Sequence, residues 1–326
     1  MTTSNSSLAE VVSLLKAATK VLLIGHVAPD GDSLGSSIAL CRLLRQTGKE
    51  AYVACLDRIP PRYEFLLKFS SVITVAEDLP PDVDFVVVLD CGDLPRTGLP
   101  LSYTARQKFI NIDHHTSNTG ALGHAWVDST ASAVGQQVLR LLDAADWPID
   151  KDTATCLYTS LATDSGFFRH ANTTPTLLRE AARLLECGAD ARLVVEHALE
   201  RKSLGELCLI KRTLGTLSLH ENNKIALLEV SLVDAQDCGV QADEVEEMVD
   251  FARAIPDTAV AVLLKEMAPS VTKVSLRSKG RLDVSKIAEH FGGGGHRAAA
   301  GATMPLSIDA ARHEIIRRLA EVLNNA

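Results

Sequence analysis

Aromatic residues and paired cysteines are both scarce in this sequence of 326 residues. Phe, Trp and Tyr make up 4% of the chain, which argues against an extended base-stacking groove like those of single-strand-binding proteins. The seven cysteines are isolated, with no CxxC pair and no spacing typical of disulfides. We therefore expect reduced thiols and a cytoplasmic location.

Long hydrophobic runs and an excess of positive charge are also absent. No apolar run approaches the roughly 20 residues that span a bilayer, and the first residues lack the basic start and apolar core of a secretory signal. The formal net charge of −8 disfavours a long duplex-binding surface, because neutralising many phosphates requires clustered Lys and Arg. A small anionic substrate held by a few cations or metals stays possible.

The first half of the chain alternates short apolar runs with helical patterns. The runs predict strands at 20–25, 51–55, 84–90 and 109–113. The helical patterns lie at about 34–47, 131–146, 152–163 and 174–187. This alternation is typical of a mainly parallel α/β sheet.

The pattern changes after about residue 190. Helix formers without strand signals predict a helical connection, and two apolar runs around Glu221-Asn222-Asn223 predict a hairpin. A helix at 242–254, strands at 258–265 and 271–277, and a helix at 308–323 complete a second α/β unit. We therefore predict a first domain at 1–190, a helical linker at 191–215 and a second domain at 216–326.

Acids and histidines follow the apolar segments of the first half at the points where they end. The four stretches read HVAPDGD, VVVLDCGD, NIDHH and ATDSG. Each taken alone has an ordinary explanation, such as a turn, a helix N-cap or a satisfied core histidine. Because ligands bind outside the carboxyl ends of parallel strands, their recurrence predicts one shared site.

The combination of carboxylates and imidazoles favours divalent metals. Crowded carboxylates repel one another unless cations neutralise them. Imidazole with carboxylate suits Mn²⁺ or a similar ion, and the lack of thiolate pairs disfavours structural zinc. Two ions ~3.5–4 Å apart can clamp a phosphoryl group, which makes a two-metal phosphoesterase the natural hypothesis.

The second half offers groups that suit an anionic ligand. A strand from Val271 would place Lys273, Ser275 and Arg277 on one face, although a solvated strand is the ordinary alternative. The run Gly292-Gly293-Gly294-Gly295 is costly in backbone entropy, so we predict a loop that needs close backbone approach and whose N–H groups cradle an anion. The Lys-Ser/Thr of a P-loop does not follow it, which argues against an ATPase.

These motifs resemble a known family. HVAPDGD, VVVLDCGD, NIDHH and ATDSGFFRH resemble the four motifs of the DHH phosphoesterase superfamily, and FGGGGHRAAAGA resembles the associated DHHA1 domain. The chain length and the two-domain layout are most similar to the nanoRNase A branch. Its members are bifunctional oligoribonucleases and phosphatases of 3′-phosphoadenosine 5′-phosphate (PAP).

The resemblance implies a role for individual residues. The metal ligands would be His26, Asp30 and Asp90 for one Mn²⁺, and Asp32, Asp90, His114 and Asp164 for the other, with Mg²⁺ or Co²⁺ as alternative ions. The two catalytic positions would be Asp113, which orients a histidine, and His115, which faces the substrate phosphate. The expected substrate contacts are Arg277, Gly293, Gly294, Gly295, His296 and Arg169.

We therefore expect a two-domain α/β enzyme, with a larger DHH domain, a smaller DHHA1 domain and the active site in the cleft between them. Its substrates would be short single-stranded RNA, pApA-type dinucleotides and PAP, with no membrane or long duplex as partner and a homodimer as a possible assembly. Three alternatives stay open. The first is an enzyme that acts chiefly on linear dinucleotides such as pApA, or on PAP with little activity on RNA. The second is a pyrophosphate or polyphosphate hydrolase, and the third is a nucleotide-binding sensor without activity.

Overall fold

The computed structural model describes residues 5–242, 248–279 and 282–324. The chain divides into an N-terminal unit, Met1–Arg201, and a C-terminal unit, Lys202–Ala326. None of the helices in the described ranges is long and apolar enough to cross a membrane.

The N-terminal unit is built around one sheet of six strands. The strands are β1 (Lys20–Ile24), β2 (Glu50–Ala54), β3 (Val72–Ile73), β4 (Phe85–Leu89), β5 (Phe109–Asp113) and β6 (His124–Val127). They run in the order β3-β2-β1-β4-β5-β6, and every pairing is parallel. The predicted parallel α/β sheet is thereby confirmed, while β3 and β6, of two and four residues, were too short to be predicted.

Helices cover this sheet. They are α1 (Leu8–Ala17), α2 (Gly31–Gln46), α3 (Leu101–Thr104), α4 (Val134–Ala145), α5 (Lys151–Asp164), α6 (Pro175–Glu186) and α7 (Ala191–Val195). Tighter 3₁₀ turns lie at Pro61–Lys68, Ala76–Asp78 and Leu94–Thr97, and a π turn at Glu196–Glu200. The apolar residues of β1 and β4 are buried on both sheet faces, since separate cores form on the two sides. Continuous apolar strands are what such burial requires.

The C-terminal unit also has a six-stranded sheet. Its strands are β7 (Ser218–His220), β8 (Ile225–Val230), β9 (Val260–Ala268), β10 (Val271–Ser278), β11 (Gly294–His296) and β12 (Ala299–Met304). They run in the order β11-β12-β10-β9-β8-β7, with β8 and β9 parallel and the other pairs antiparallel. The predicted hairpin around residues 221–223 is confirmed as β7–β8.

An apolar core lies on each face of this second sheet. Its helices are α8 (Leu204–Gly215), α9 (Leu232–Cys238), α10 (Met248–Arg253), α11 (Ser285–His290) and α12 (Ile308–Asn324). Val262 and Leu264 of β9 face the core under α11 and α12, whereas Ala261 and Leu263 face the core under α8, α9 and α10. The period of two along the strand therefore supplies both layers.

One expectation about cysteines is wrong. Cys208 of α8 and Cys238 at the end of α9 form a disulfide, with 5.7 Å between their Cα atoms. The pairing was hidden in the sequence because 30 residues separate the two positions, and only the packing of α8 against α9 joins them. The other five cysteines are free thiols, and four of those are buried.

Candidate active site

The acids and histidines predicted as metal ligands meet at the carboxyl edge of the parallel sheet. Three groups have ligand atoms within 4.8 Å of one another: His26, Asp30 and Asp90; Asp32, His114 and Asp164; and Asp90, His114 and His115. All six predicted metal ligands belong to these groups. The assignment of each ligand to a particular ion stays a prediction.

The first group gathers around His26, just past the end of β1. Its Nε2 lies 3.4 Å from Oδ2 of Asp90 and 3.9 Å from Oδ2 of Asp30. Its Nδ1 lies 2.8 Å from the carbonyl of Val27, so Nδ1 carries the proton and Nε2 faces the acids. Asp30 also caps α2 by accepting from the Ser33 N–H through Oδ1. Asp30 therefore caps the helix with Oδ1, while its Oδ2 faces His26.

The second group gathers around His114, directly after β5. Its Nε2 lies 3.5 Å from Oδ1 of Asp90, and 3.8 Å from Oδ2 of both Asp32 and Asp164. Its Nδ1 donates to the carbonyl of Ala131 at 3.1 Å. Both histidines thus hold the same tautomer, in which Nε2 is the nitrogen that a metal could take.

Asp32 is held by donors that the sequence did not reveal. Its side chain is buried and accepts from the N–H groups of Val134 and Gly135, at the start of α4, and from the hydroxyl of Ser160. A helix N-terminus favours negative charge, which offsets part of the cost of burying this carboxylate. Nothing in the sequence near Asp32 indicates these contacts, because Ser160 lies 128 residues away.

Asp90 stands between the two groups. Its backbone is left-handed, with φ of 59°, a conformation that costs an L-residue roughly 1–2 kcal/mol and that concentrates at functional sites. Its buried Oδ1 makes no hydrogen bond of good geometry among the described residues, and the nearest ring nitrogens, Nε2 of His114 and Nδ1 of His115, lie 3.5 Å away. A buried carboxylate oxygen that is so weakly satisfied, with other carboxylates around it, fits a bound cation.

Burial and mutual repulsion shift the pKa values of the acids upward. Burial and the charge of Asp90 raise the pKa of Asp32 to about 7. The same causes raise the pKa of Asp30, and burial with the charge of Asp32 raises that of Asp164. Burial opposes ionisation of Asp90 too, but the rings of His114 and His26, which lie 3.5 and 3.4 Å from its oxygens, outweigh burial and lower its pKa.

The pKa values of His26 and His114 are also raised, which places positive charge beside the carboxylates. Burial alone would lower the pKa of His26, yet its hydrogen bond to Asp90 and the charges of Asp30 and Asp90 raise it to about 9. Burial would also lower the pKa of His114, but Asp90 and the charges of Asp32 and Asp164 outweigh burial and raise it to about 11. The cluster therefore holds protons at neutral pH in the place that divalent cations would take.

Asp113 and His115 form a separate pair at the end of β5. Oδ1 of the buried Asp113 accepts from Nδ1 of His115 at 2.8 Å and from the backbone N–H groups of His114 and His115. Burial lowers the pKa of His115, but the bond to Asp113 outweighs burial and raises it. The His115 side chain is 29% exposed, so it can be reached by a ligand while Asp113 cannot.

Arg169 follows Asp164 after an unusual turn. Gly166, Phe167 and Phe168 all have φ near +60°, so three successive residues are left-handed. Nε of the exposed Arg169 donates to the carbonyl of Gly166 at 2.7 Å. The turn thus holds the base of the Arg169 side chain five positions beyond Asp164.

The remaining predicted substrate contacts lie in the C-terminal unit. Lys273, Ser275 and Arg277 alternate with core residues along β10, which confirms that they share one sheet face. Burial lowers the pKa of Arg277. In register across the sheet, Ser275 pairs with Gly301 and Gly301 pairs with Gly294. This face therefore carries small residues beside two cationic side chains.

The glycine run differs from the predicted loop. It turns at Gly292, and Gly294–His296 forms the edge strand β11, paired with β12. The close backbone approach is real, since a Cβ at Gly293 would lie 2.1 Å from the carbonyl oxygen of Gly301. A Cβ at Gly294 would meet nothing within 4 Å. The side chain of His296 lies outside the described part of the structure.

Comparison with known families agrees with the motifs. Residues 20–161 match the family model described as the DHH family, N-terminal domain, and residues 222–325 match the DHHA1 domain. A crystal structure of an exopolyphosphatase-related protein from Bacteroides fragilis is 22% identical, covers 97% of each chain and has a TM-score of 0.86. At that identity the likeness shows the fold.

Two relatives cover nearly the whole chain, and both are named bifunctional oligoribonuclease and PAP phosphatase NrnA. The relative from Thermus thermophilus is 35% identical, over 97% of this chain and 94% of its own length. The relative from Bacillus subtilis is 26% identical, over 90% of this chain and 92% of its own length. The site geometry, the two domain matches and this identity together show that the chain belongs to the DHH family and carries a DHHA1 domain.

Proposed function

We propose that this protein is a Mn²⁺-dependent phosphoesterase that degrades short oligoribonucleotides, including pApA-type dinucleotides, to mononucleotides and dephosphorylates PAP to AMP. The observation that carries the proposal is the carboxylate of Asp90. Its two oxygens face two different histidines, and the buried Oδ1 makes no hydrogen bond of good geometry among the described residues. The relatives named as oligoribonucleases and PAP phosphatases support the substrate class.

In this proposal the six acids and histidines hold two Mn²⁺ ions, with Mg²⁺ or Co²⁺ as alternatives. His26 and Asp30 bind one ion, and Asp32, His114 and Asp164 bind the other. Asp90 binds both. Bound divalent ions neutralise phosphate charge and lower the pKa of water. The donor set of imidazole and carboxylate, without thiolate, supports such ions.

The protein's own residues supply orientation and proton handling. Asp113 keeps Nδ1 of His115 protonated, because a carboxylate oxygen at 2.8 Å can only accept. His115 is thereby positioned to contact the substrate phosphate, either neutralising it or protonating the leaving oxygen. Burial lowers the pKa of His115, but the bond to Asp113 raises it above its ordinary value, which favours the protonated ring that either task uses.

The C-terminal unit binds the far end of the nucleotide. Arg277 suits a terminal phosphate because its planar fork makes two parallel hydrogen bonds. The small residues Gly294, Ser275 and Gly301, which lie in register on the sheet, let a ligand approach the backbone closely. Arg169 and His296 add polar contacts in this proposal.

The proposal extends to location and assembly. A cytoplasmic enzyme agrees with five free thiols, four of them buried, and the single disulfide is half-buried, where reductants can reach it. A homodimer is the assembly to test, by light scattering of the purified protein. No long duplex is needed as a partner.

Purified protein tests the function directly. With Mn²⁺ and 5′-phosphorylated di- to pentanucleotides we expect stepwise release of mononucleotides, and with PAP we expect AMP and phosphate. Chromatography of the products measures both, with Asp90→Asn as the inactive control. Pyrophosphate and polyphosphate in parallel reactions separate the rival hydrolase. Turnover of those two alone, or Mn²⁺ binding without any turnover, would overturn the proposal.

A further inference from the structure

Two side-chain amides behind the metal ligands connect the ends of β4 and β5. The first is Asn111, a fully buried polar residue in the middle of β5. Its Nδ2 donates to the carbonyls of Val88, at 3.1 Å, and Cys91, at 2.9 Å. These two carbonyls flank Asp90, whose φ is 59°. Asn111 therefore spans the left-handed turn that aims the shared carboxylate.

The second amide belongs to Asn118, in the loop after β5. Its Nδ2 donates to Oδ1 of Asn111 at 2.8 Å and to Oδ2 of Asp113 at 2.6 Å. Its Oδ1 accepts from the N–H of Gly120 at 2.8 Å. Every polar atom of the Asn118 side chain makes a hydrogen bond. Its amide N–H groups both donate to residues of β5, Asn111 and Asp113.

Asp113 is consequently held on both oxygens. Oδ2 accepts a hydrogen bond from the side-chain amide of Asn118. Oδ1 accepts from Nδ1 and from the backbone N–H of His115. The amide at 118 must donate, because a carboxylate there would face the carboxylate of Asp113 with no proton between them. An aspartate at this position is nearly the same size and would lose the contact.

A third segment makes room for this arrangement. A Cβ at Gly92 would lie 2.7 Å from Cγ of Asn118 and 2.9 Å from its Nδ2. The residue two places after Asp90 is therefore small because Asn118 occupies the space beside it. The strand end that carries the shared ligand and the loop that carries Asn118 fit one another.

We infer that Asn111 and Asn118 are positioning residues that set Asp90 and the Asp113–His115 pair as one unit. Asn111 fixes the backbone turn at Asp90. Asn118 fixes Asp113 and, through it, the ring of His115. Because the amides are bonded to each other, the metal-binding carboxylate and the substrate-facing histidine keep one relative geometry. The inference deepens the proposed phosphoesterase function and rests on it for the kinetic readout alone.

Asn118→Asp and Asn118→Ala test the His115 branch. We expect kcat on a dinucleotide to fall about 10–100-fold, the usual cost of losing an outer-shell partner, while KM changes less than about threefold. In the metal-free protein, NMR of ¹⁵N-labelled histidine should show a slowly exchanging Nδ1–H of His115 in the wild type. Its exchange should be faster in both variants.

Asn111→Asp tests the Asp90 branch. A carboxylate cannot donate to the two carbonyls around Asp90, so we expect Mn²⁺ affinity to weaken about 10–100-fold, measured by electron paramagnetic resonance of free Mn²⁺. Gly92→Ala should reproduce the kinetic loss of the Asn118 variants by displacing that side chain. Gln46→Ala is the matched control, because the side-chain amide of Gln46 donates to Asp150 at the end of α2 opposite to Asp32.

Wild-type kcat, Mn²⁺ affinity and His115 exchange in the Asn118 and Asn111 variants would overturn the inference. A loss of thermal stability with normal kinetics in the folded protein would also overturn it, since that outcome describes a purely structural role. Asn118→Ser replaces any variant that does not fold. If the wild type releases no mononucleotide, the proposed function fails, while Mn²⁺ affinity and histidine exchange still decide the inference.

Discussion

At the scale of single residues, Asp90 combines features that are costly separately. Its carboxylate is buried, its backbone is left-handed and one oxygen makes no hydrogen bond of good geometry among the described residues. Each of these would destabilise a protein that gained nothing from them. Their coincidence beside His26 and His114 is what makes a shared metal ligand the best explanation.

The roles of Asp90 and Arg277 predict different kinetic defects. Asp90→Asn removes a charge from both proposed metal positions, so we expect kcat to fall at least about 1,000-fold, equivalent to roughly 4 kcal/mol. Arg277→Ala removes a contact to the substrate's far end and should mainly raise KM, about tenfold. Steady-state rates on a dinucleotide measure both. Near-normal kcat in Asp90→Asn with metals bound would make the shared-ligand assignment wrong.

At the scale of elements, the glycine run serves the packing of two strands as well as any ligand. Gly293 lies against the backbone of β12, whereas Gly294 faces open space. The sequence predicted close backbone approach at these glycines, and it could not show that the approaching backbone is that of β12.

This contrast separates folding from binding. Gly293→Ala should destabilise the protein by about 2 kcal/mol or more, because its Cβ would meet a carbonyl oxygen that belongs to a paired strand. Gly294→Ala should leave the free energy of unfolding nearly unchanged and raise KM if the substrate lies against that backbone. Denaturant unfolding and steady-state kinetics distinguish the two. Equal destabilisation by both variants would contradict the strand pairing of β11.

The disulfide between α8 and α9 makes a second prediction at this scale. Closing a loop with a sequence separation of 30 restricts the unfolded chain, which is worth about 3–4 kcal/mol in the loop-entropy model. Arg212 would still pair with Asp234 and Asp237 after reduction. We expect reductant or Cys208→Ser to lower the midpoint of guanidinium unfolding, with Cys187→Ser as the control. Identical midpoints with and without reductant would show that the crosslink contributes nothing.

At the scale of the whole molecule, the buried charges link stability to pH and metal. Below its unfolded pKa, His26 contributes stability that is lost as pH rises through about 9, and His114 behaves likewise up to about 11. The pKa of Asp32 is raised to about 7 in the folded protein. Below that pH, Asp32 keeps a proton that the unfolded chain has already lost. In all three cases the native state binds more protons, so stability falls as pH rises.

The metal-free protein should therefore have a lower melting temperature at about pH 9 than at about pH 6. Excess Mn²⁺ should reverse the slope, because metal binds the deprotonated ligands and gains affinity as pH rises. Differential scanning fluorimetry in chelator and in Mn²⁺ measures both. Asp90→Asn should flatten the slope in chelator, since it removes the main partner of both histidines. Equal slopes with and without metal would contradict this account.

Local sequence patterns were enough to predict many of the strands and helices and the order of the site residues. Apolar runs such as FVVVL and FINID predicted buried strands, and the polar residues at their ends were expected at the sheet edge. The parallel sheet, the hairpin and the cluster of acids and histidines follow from these local patterns.

Several side-chain contacts were revealed by the folded structure alone. Ser160 and the start of α4 reach Asp32, Asn118 links Asn111 to Asp113, and Cys208 meets Cys238. Asn111 was visible as a polar residue inside an apolar strand, but its partners were not. Contacts between segments far apart in the chain depend on packing, and no local pattern records them.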